Sequence, residues 1–275
     1  MTAEPATPFA PILQATQPDV AEQIANNFLL SSSLWVNVAL AGVAILLFVQ
    51  MGRKLQTERA KLIWVAALLV PLVSISSYLA LISGLTVSLQ TMPMGHPLGG
   101  QEVLSPWGRY LTWTLSTPMI LIALGLLAGT DRTKLFTVVT MDVAMCVTGL
   151  AAALVTSSVL LRWAFFGVSC AFFLVVLYVL LAEWPAEAQA AGTADIFGTL
   201  RTLTVVLWLG YPILGALGAE GLAVLSVGLT SWGYSGLDIV AKYVFAFLLL
   251  RWVANNEGVV GESGSTLSGA TPADD

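Results

Sequence analysis

The chain has 275 residues, of which 57% are hydrophobic and only 10% charged, with a net charge of −5. A soluble domain is nearer ~25% charged, so this balance reads as one compact helical domain of a polytopic membrane protein. The acidic balance argues against a basic nucleic-acid surface; it suits a salt-rich exterior.

In chain order, residues 1–30 read as an extracellular arm, with Pro5, Pro8, Pro11 and Pro18 and no basic leader of the signal-peptide kind. Seven apolar stretches follow, at 31–52, 60–84, 107–129, 134–156, 159–183, 197–218 and 229–254. Each approaches or exceeds the roughly 20 residues that a helix needs to cross a bilayer. Only Ser157-Ser158 separates the fourth from the fifth. The predicted architecture is an all-α bundle of seven transmembrane helices over residues 31–255. A flexible acidic cytoplasmic tail, 256–275, ends in Ala273-Asp274-Asp275.

The basic residues orient the bundle. Arg53, Lys54, Arg59 and Lys61 flank the first loop, Arg132 and Lys134 the third, and Arg201 and Arg251 lie at the same side. These are eight of the eleven Lys and Arg residues; the opposite loops hold almost none, Arg162 being the exception. Cytoplasmic loops are the Lys/Arg-rich ones, which places the N-terminus outside and the C-terminus inside.

Cys146 and Cys170 sit in apolar runs without metal-ligand spacing, and the single histidine, His96, lies in a Pro/Gly-rich loop. Both cysteines read as small buried apolar residues. Zinc chemistry and a His-based triad have no material here.

Four ionisable residues fall within the spans: Arg109 in the third, Asp142 in the fourth, and Asp238 and Lys242 in the seventh. Charge at such depth is costly and marks function by default. Lys242 is more than ten residues from either end of its span, about 15 Å or more at 1.5 Å per residue. Its stem cannot snorkel that far. It reads either as a structural partner of a carboxylate or as a covalent Schiff-base lysine. Asp238, four residues earlier, shares its face. In the third span Arg109, Thr112, Trp113 and Ser116 follow i, i+3, i+4, i+7 spacing, and in the sixth Trp208 and Tyr211 share a face before Pro212. Hydroxyls and aromatics at such spacing are more often packing than site; here they face the same interior as Lys242.

Three segments together carry a resemblance. Arg109-Tyr110-Leu111-Thr112-Trp113-Thr114-Leu115-Ser116-Thr117-Pro118, Trp208-Leu209-Gly210-Tyr211-Pro212 and Leu237-Asp238-Ile239-Val240-Ala241-Lys242 resemble the third-, sixth- and seventh-helix signatures of microbial rhodopsins. The similarity spans all seven helices and is greatest to the chloride-pumping branch of that family, in salt-loving archaea. It implies all-trans retinal on Lys242 through a protonated Schiff base. Trp113, Trp208 and Tyr211 would clamp the polyene; Thr117, Met145, Thr148, Gly149, Ser169, Cys170, Phe173 and Gly215 would complete the pocket. Tyr78, Tyr211 and Arg109 would form the counterion network with Asp238, and Asp142 would pair with Thr117. Chloride would bind among Arg109, Thr112, Trp113, Ser116, Asp238 and Lys242 and leave past Thr204 and Arg201. The family also implies a homotrimer in membrane lipid, with a carotenoid as an open additional partner.

Within that family proton pumps carry an aspartate where this chain has Thr112, and many carry a carboxylic acid where it has Ala123. Neither residue here exchanges a proton. Arg109 and a protonated Schiff base supply two positive charges against one from Asp238, so a mobile anion is expected to complete the balance. The implied function is a light-driven inward chloride pump, a transporter and not an enzyme. The alternatives are a sensory photoreceptor and an outward proton pump. Thr230 stands at the outer position where proton release occurs in relatives, while Glu220 keeps one acid nearby. Gly215 departs from the family, whose members commonly place tryptophan there; a looser ring end and a shifted absorption maximum are expected.

Overall fold

The computed structural model describes residues 18–265. Its first helix, α1 (Pro18–Asn26), lies inside the segment expected to be an arm. Proline suits a helix start because the N–H it lacks would have no partner there. Val20 and Ile24 are buried against Leu30, Leu34, Tyr78, Leu81 and Val87, so this part of the arm docks on the first two spans. Residues 1–17 lie outside the described residues.

The spans follow as α2 (Phe28–Gly52), α3 (Glu58–Ile82), α4 (Gly108–Ala128), α5 (Arg132–Leu154), α6 (Val159–Tyr178) continued by α7 (Trp184–Ala190), α8 (Ala194–Leu217), and α9 (Val227–Asp238) with α10 (Phe245–Asn255). Six of these runs are long and apolar enough to cross a membrane. The seventh crossing is composite: α9 and α10 are joined by the π-helical turn Ile239–Val244, which contains Lys242. A second π turn, Val179–Glu183, joins α6 to α7. Single π turns concentrate at functional sites, and the one at Lys242 fits that pattern.

Short polar side chains start most of these helices. Asn27, Thr57, Asp131, Ser158 and Ser226 each accept a hydrogen bond from an amide of the first turn, satisfying donors that would otherwise be orphaned. Ser158 thereby restarts the chain as α6 directly after α5. Between α3 and α4, strands β1 (Ser88–Thr91) and β2 (Glu102–Ser105) form an antiparallel hairpin with Ser88 opposite Ser105.

Around the bundle each span packs on its sequence neighbour and α9 closes the ring against α2; α6 and α8 are the exception, meeting mainly through α7 at one end. Small residues let backbones approach, the usual device where lipid removes the hydrophobic drive. A Cβ on Gly210 would lie 2.8 Å from Leu237, and one on Gly149 2.9 Å from Tyr110. Large apolar side chains such as Leu46, Phe136 and Leu160 are 74–80% exposed, the surface a bilayer would solvate.

The exceptional Arg162 is explained by burial. Its guanidinium donates to the carbonyls of Ala153 (3.1 Å), Val155 (2.7 Å) and Glu220 (2.9 Å), tying two loops together. At the other end, Arg59 donates to Leu126 O. The expected flexible tail begins instead with α11 (Glu257–Ser265). Glu257 accepts the amides of Gln56 and Thr57, both at 2.5 Å, and those amides hold its carboxyl below the usual range. Val260 is buried beside them. The acidic residues 266–275 lie outside the described residues.

Candidate functional site

Asp238 and Lys242 are both about 99% buried. Lys242 Nζ donates to Asp238 Oδ2 at 3.0 Å. Tyr78 Oη donates to the same oxygen at 2.7 Å, and Tyr211 Oη to Oδ1 at 2.6 Å. Three donors from the second, sixth and seventh spans therefore fix one carboxylate as an anion, because a buried charge persists only when paired and hydrogen-bonded. Arg109 is also buried. Its Nη2 donates to Ser231 Oγ at 2.5 Å and its Nη1 reaches Tyr78 Oη at 3.5 Å. Its guanidinium carbon stands 5.7 Å from the Tyr78 ring centroid and 5.3 Å from that of Tyr234, within cation–π range.

The third span carries the hydroxyls. Thr112 Oγ1 donates to Gly108 O at 3.1 Å and is hydrogen-bonded to Ser77 Oγ. Ser116, one turn further, is completely buried, and its hydroxyl has no hydrogen-bond partner among the described residues. An orphaned buried hydroxyl calls for a ligand or water.

Beside this cluster lies an apolar cavity walled by the third to seventh spans. Of the eleven residues expected at a retinal pocket, ten line it: Trp113, Thr117, Met145, Gly149, Ser169, Cys170, Phe173, Trp208, Tyr211 and Gly215. Thr148 does not; its hydroxyl donates to the carbonyls of Ala144 and Met145. Lys242 is not a lining residue either, because its ammonium is turned onto Asp238. Tyr211 spans the two, lining the cavity with its ring and holding Asp238 with its hydroxyl. The aromatic walls are packed: Trp113 meets Tyr211 at 5.2 Å and Tyr234 at 5.1 Å between centroids. The cavity is apolar and walled by aromatic rings, and Tyr211 joins it to the carboxylate that Lys242 is paired with; such a lining fits an apolar polyene such as retinal.

Sequence reasoning missed Tyr110, Cys146, Phe166, Pro212 and Tyr234 as cavity residues, and Ser77 and Ser231 as partners of Thr112 and Arg109. A signal existed for two of them. Ser231 and Tyr234 continue the Asp238–Lys242 face backwards at helical spacing. Phe166 and Tyr234 also flank Gly215, so aromatic bulk from the fifth and seventh spans stands near the position the family fills with tryptophan.

Other expected residues are placed as follows. Thr117 Oγ1 donates to Asp142 Oδ2 at 2.6 Å, and Asp142 Oδ1 has no partner among the described residues. Replacing Thr117 with valine removes the one hydrogen bond that this fully buried carboxyl receives among the described residues. Such losses cost about 1–3 kcal/mol, so the variant is expected to denature thermally below the parent; an unchanged midpoint would show that the pair contributes nothing. Thr204 is buried and Arg201 half-buried on the same face of α8, three residues apart. Thr230 donates to its own helix. Glu220, in the loop before α9, accepts from Ser105 Oγ, and burial pushes its carboxyl up.

A family model described as "Bacteriorhodopsin-like protein" matches residues 28–256, and the chain belongs to that family of seven-helix membrane proteins. The halorhodopsin of Haloarcula marismortui is 74% identical over 266 residues, covering 96% of each chain. A solved structure described as "Halorhodopsin, a light-driven chloride pump" shares 68% identity over 85% of this chain and 98% of that one, with a TM-score of 0.84. At this identity the chain groups with the halorhodopsins. A light-driven proton pump of Coccomyxa subellipsoidea has the same fold at 32% identity, covering 80% and 95% of the two chains, with a TM-score of 0.73; the fold alone does not separate the two activities.

Proposed function

We propose that the chain is a light-driven inward chloride pump carrying all-trans retinal on Lys242 as a protonated Schiff base. The observation that carries this reading is a buried imbalance of charge. Arg109, joined through Tyr78, and Lys242 bring two positive charges to the carboxylate of Asp238, and the Ser116 hydroxyl, one helical turn from Thr112, has no partner among the described residues. An uncompensated buried charge costs several kcal/mol. A halide held by Arg109, Thr112, Trp113, Ser116 and Lys242 removes that cost without any proton chemistry.

Retinal, held by Lys242, would supply light-driven isomerisation and with it a change in where the N–H at Lys242 is offered. The remaining work falls to side chains. Arg109 draws chloride inward from the outer mouth. Thr112 and Ser116 solvate it without accepting a charge. Asp238, clamped by Tyr78 and Tyr211, stays anionic and keeps the anion from settling deeper on its own side. Thr204 and Arg201 offer a hydroxyl and a cation along the way out. Thr112 and Ala123 disfavour the proton-pump and sensor alternatives, since neither can take or return a proton. The retinal-binding unit is residues 31–255, and a homotrimer in lipid is the assembly carried over from the resemblance.

The test is the light-induced pH change of unbuffered cells in sodium chloride. External alkalinisation that a protonophore enhances and sulfate abolishes is expected, because protons follow imported chloride passively. Acidification abolished by the protonophore would assign a proton pump. No pH change from a coloured protein would favour a sensor.

A further inference from the structure

The cavity is not closed on all sides. On one side Tyr234 of its lining stacks against the buried Arg109 guanidinium, a charge that a long apolar molecule cannot pass without desolvating it. On another, Trp208, Leu124, Phe245 and Trp184 belong to one buried apolar core. The remaining direction is sideways. The fifth and sixth spans are the neighbours that do not pack along their length, and both contribute part-exposed residues to the cavity lining, Phe166 and Cys170 from one and Gly215 from the other. A Cβ on Gly215 would meet only Tyr234 Oη at 3.2 Å and Phe166 Cε2 at 3.7 Å. Gly215 lies one helical turn beyond Tyr211, whose hydroxyl touches the carboxylate paired with Lys242, so the cleft between the fifth and sixth spans is set off from the lysine along the sixth.

The geometry points to this cleft, framed by Gly215, Phe166 and Cys170, as the lateral port through which retinal passes from the bilayer to Lys242. The inference rests on the reading of Lys242 as the retinal-bearing residue. Retinal is a rigid apolar rod with one reactive aldehyde, and it partitions into lipid. Entering the cleft aldehyde first, it arrives at Lys242 without crossing a charged layer, and its ring comes to rest at the port. The absence of a side chain at Gly215 keeps the entrance wide, and Phe166 is its movable jamb.

The experiment uses the full chain in membranes, bleached by light in hydroxylamine, washed, and mixed with all-trans retinal; growth of the visible absorption band is followed in time. Gly215→Trp is expected to slow loading at least about tenfold, the factor given by roughly 1.4 kcal/mol of added barrier, read as the rate at which the variant's own band grows, wherever its maximum lies. Phe166→Ala is expected to speed it. Gly198→Trp, a bulky addition at an open position near the far end of the same helix, is expected to load at the parental rate. Should Gly215→Trp not accumulate, Gly215→Phe carries the same expectation. Parental loading rates in the Gly215 variants, or equal slowing in Gly198→Trp, overturn the port. A parental protein that never colours overturns the role of Lys242 instead, so the two failures are distinguishable.

Discussion

Replacing Lys242 with alanine or arginine is expected to abolish the visible absorption band and light-driven transport, if, as proposed, it bears retinal. The two substitutions separate covalent chemistry from charge. Arginine keeps a cation for Asp238 but has no amine that condenses with an aldehyde. Alanine removes both, leaving a buried carboxylate held only by Tyr78 and Tyr211. Breaking a buried pair on one side typically costs about 3–5 kcal/mol, so the alanine variant is also expected to be less stable in detergent. The check is absorbance after adding all-trans retinal, alongside a thermal melt of each apoprotein. A coloured Lys242→Arg protein would place the chromophore elsewhere.

Replacing Thr112 with aspartate is expected to abolish the halide dependence of the absorption band and inward chloride transport with it. Thr112 is neutral and its hydroxyl is engaged with Gly108 and Ser77. An aspartate there gives the cluster a second fixed negative charge, balancing Arg109 and Lys242 without a mobile ion. Its repulsion of chloride at ~4 Å is about 4 kcal/mol at an effective dielectric constant near 20, close to a thousandfold in affinity. A chloride titration of the band position reads this directly. An unaltered titration in the variant would remove Thr112 from the anion site. Restoring the neutral hydroxyl with serine is expected to recover most of the response.

Both expectations draw on residues legible in the sequence, for a physical reason. A bilayer penalises charge so steeply that Lys242, Asp238, Asp142 and Arg109 stand out against 57% hydrophobic composition. Helical periodicity then groups residues on one helix: Asp238 with Lys242, and Arg109 with Thr112 and Ser116. The span limits were legible too, with shifts of a few residues. The fifth span runs longer than its apolar stretch, because a π turn lets it continue through Trp184 to Ala190.

Contacts between helices were not legible in this way. Periodicity gives a face; which neighbouring face it meets, and at what height, follows from crossing angles and axial register. Ser231 under Arg109, Ser77 beside Thr112, and Tyr234 against both Trp113 and Arg109 each require two helices to be set in place. The same holds for Arg162, whose charge contradicted the loop pattern until three backbone carbonyls were brought to it. Glu257 looks like the start of a solvated tail until the loop amides of Gln56 and Thr57 converge on it. By itself the sequence determined the number of spans, their direction and the buried charges, since each depends only on local hydropathy, loop charge and helical spacing. Only the tertiary structure decided which buried hydroxyls are left without a partner and which residues wall the cavity, since these depend on where separate helices lie relative to one another.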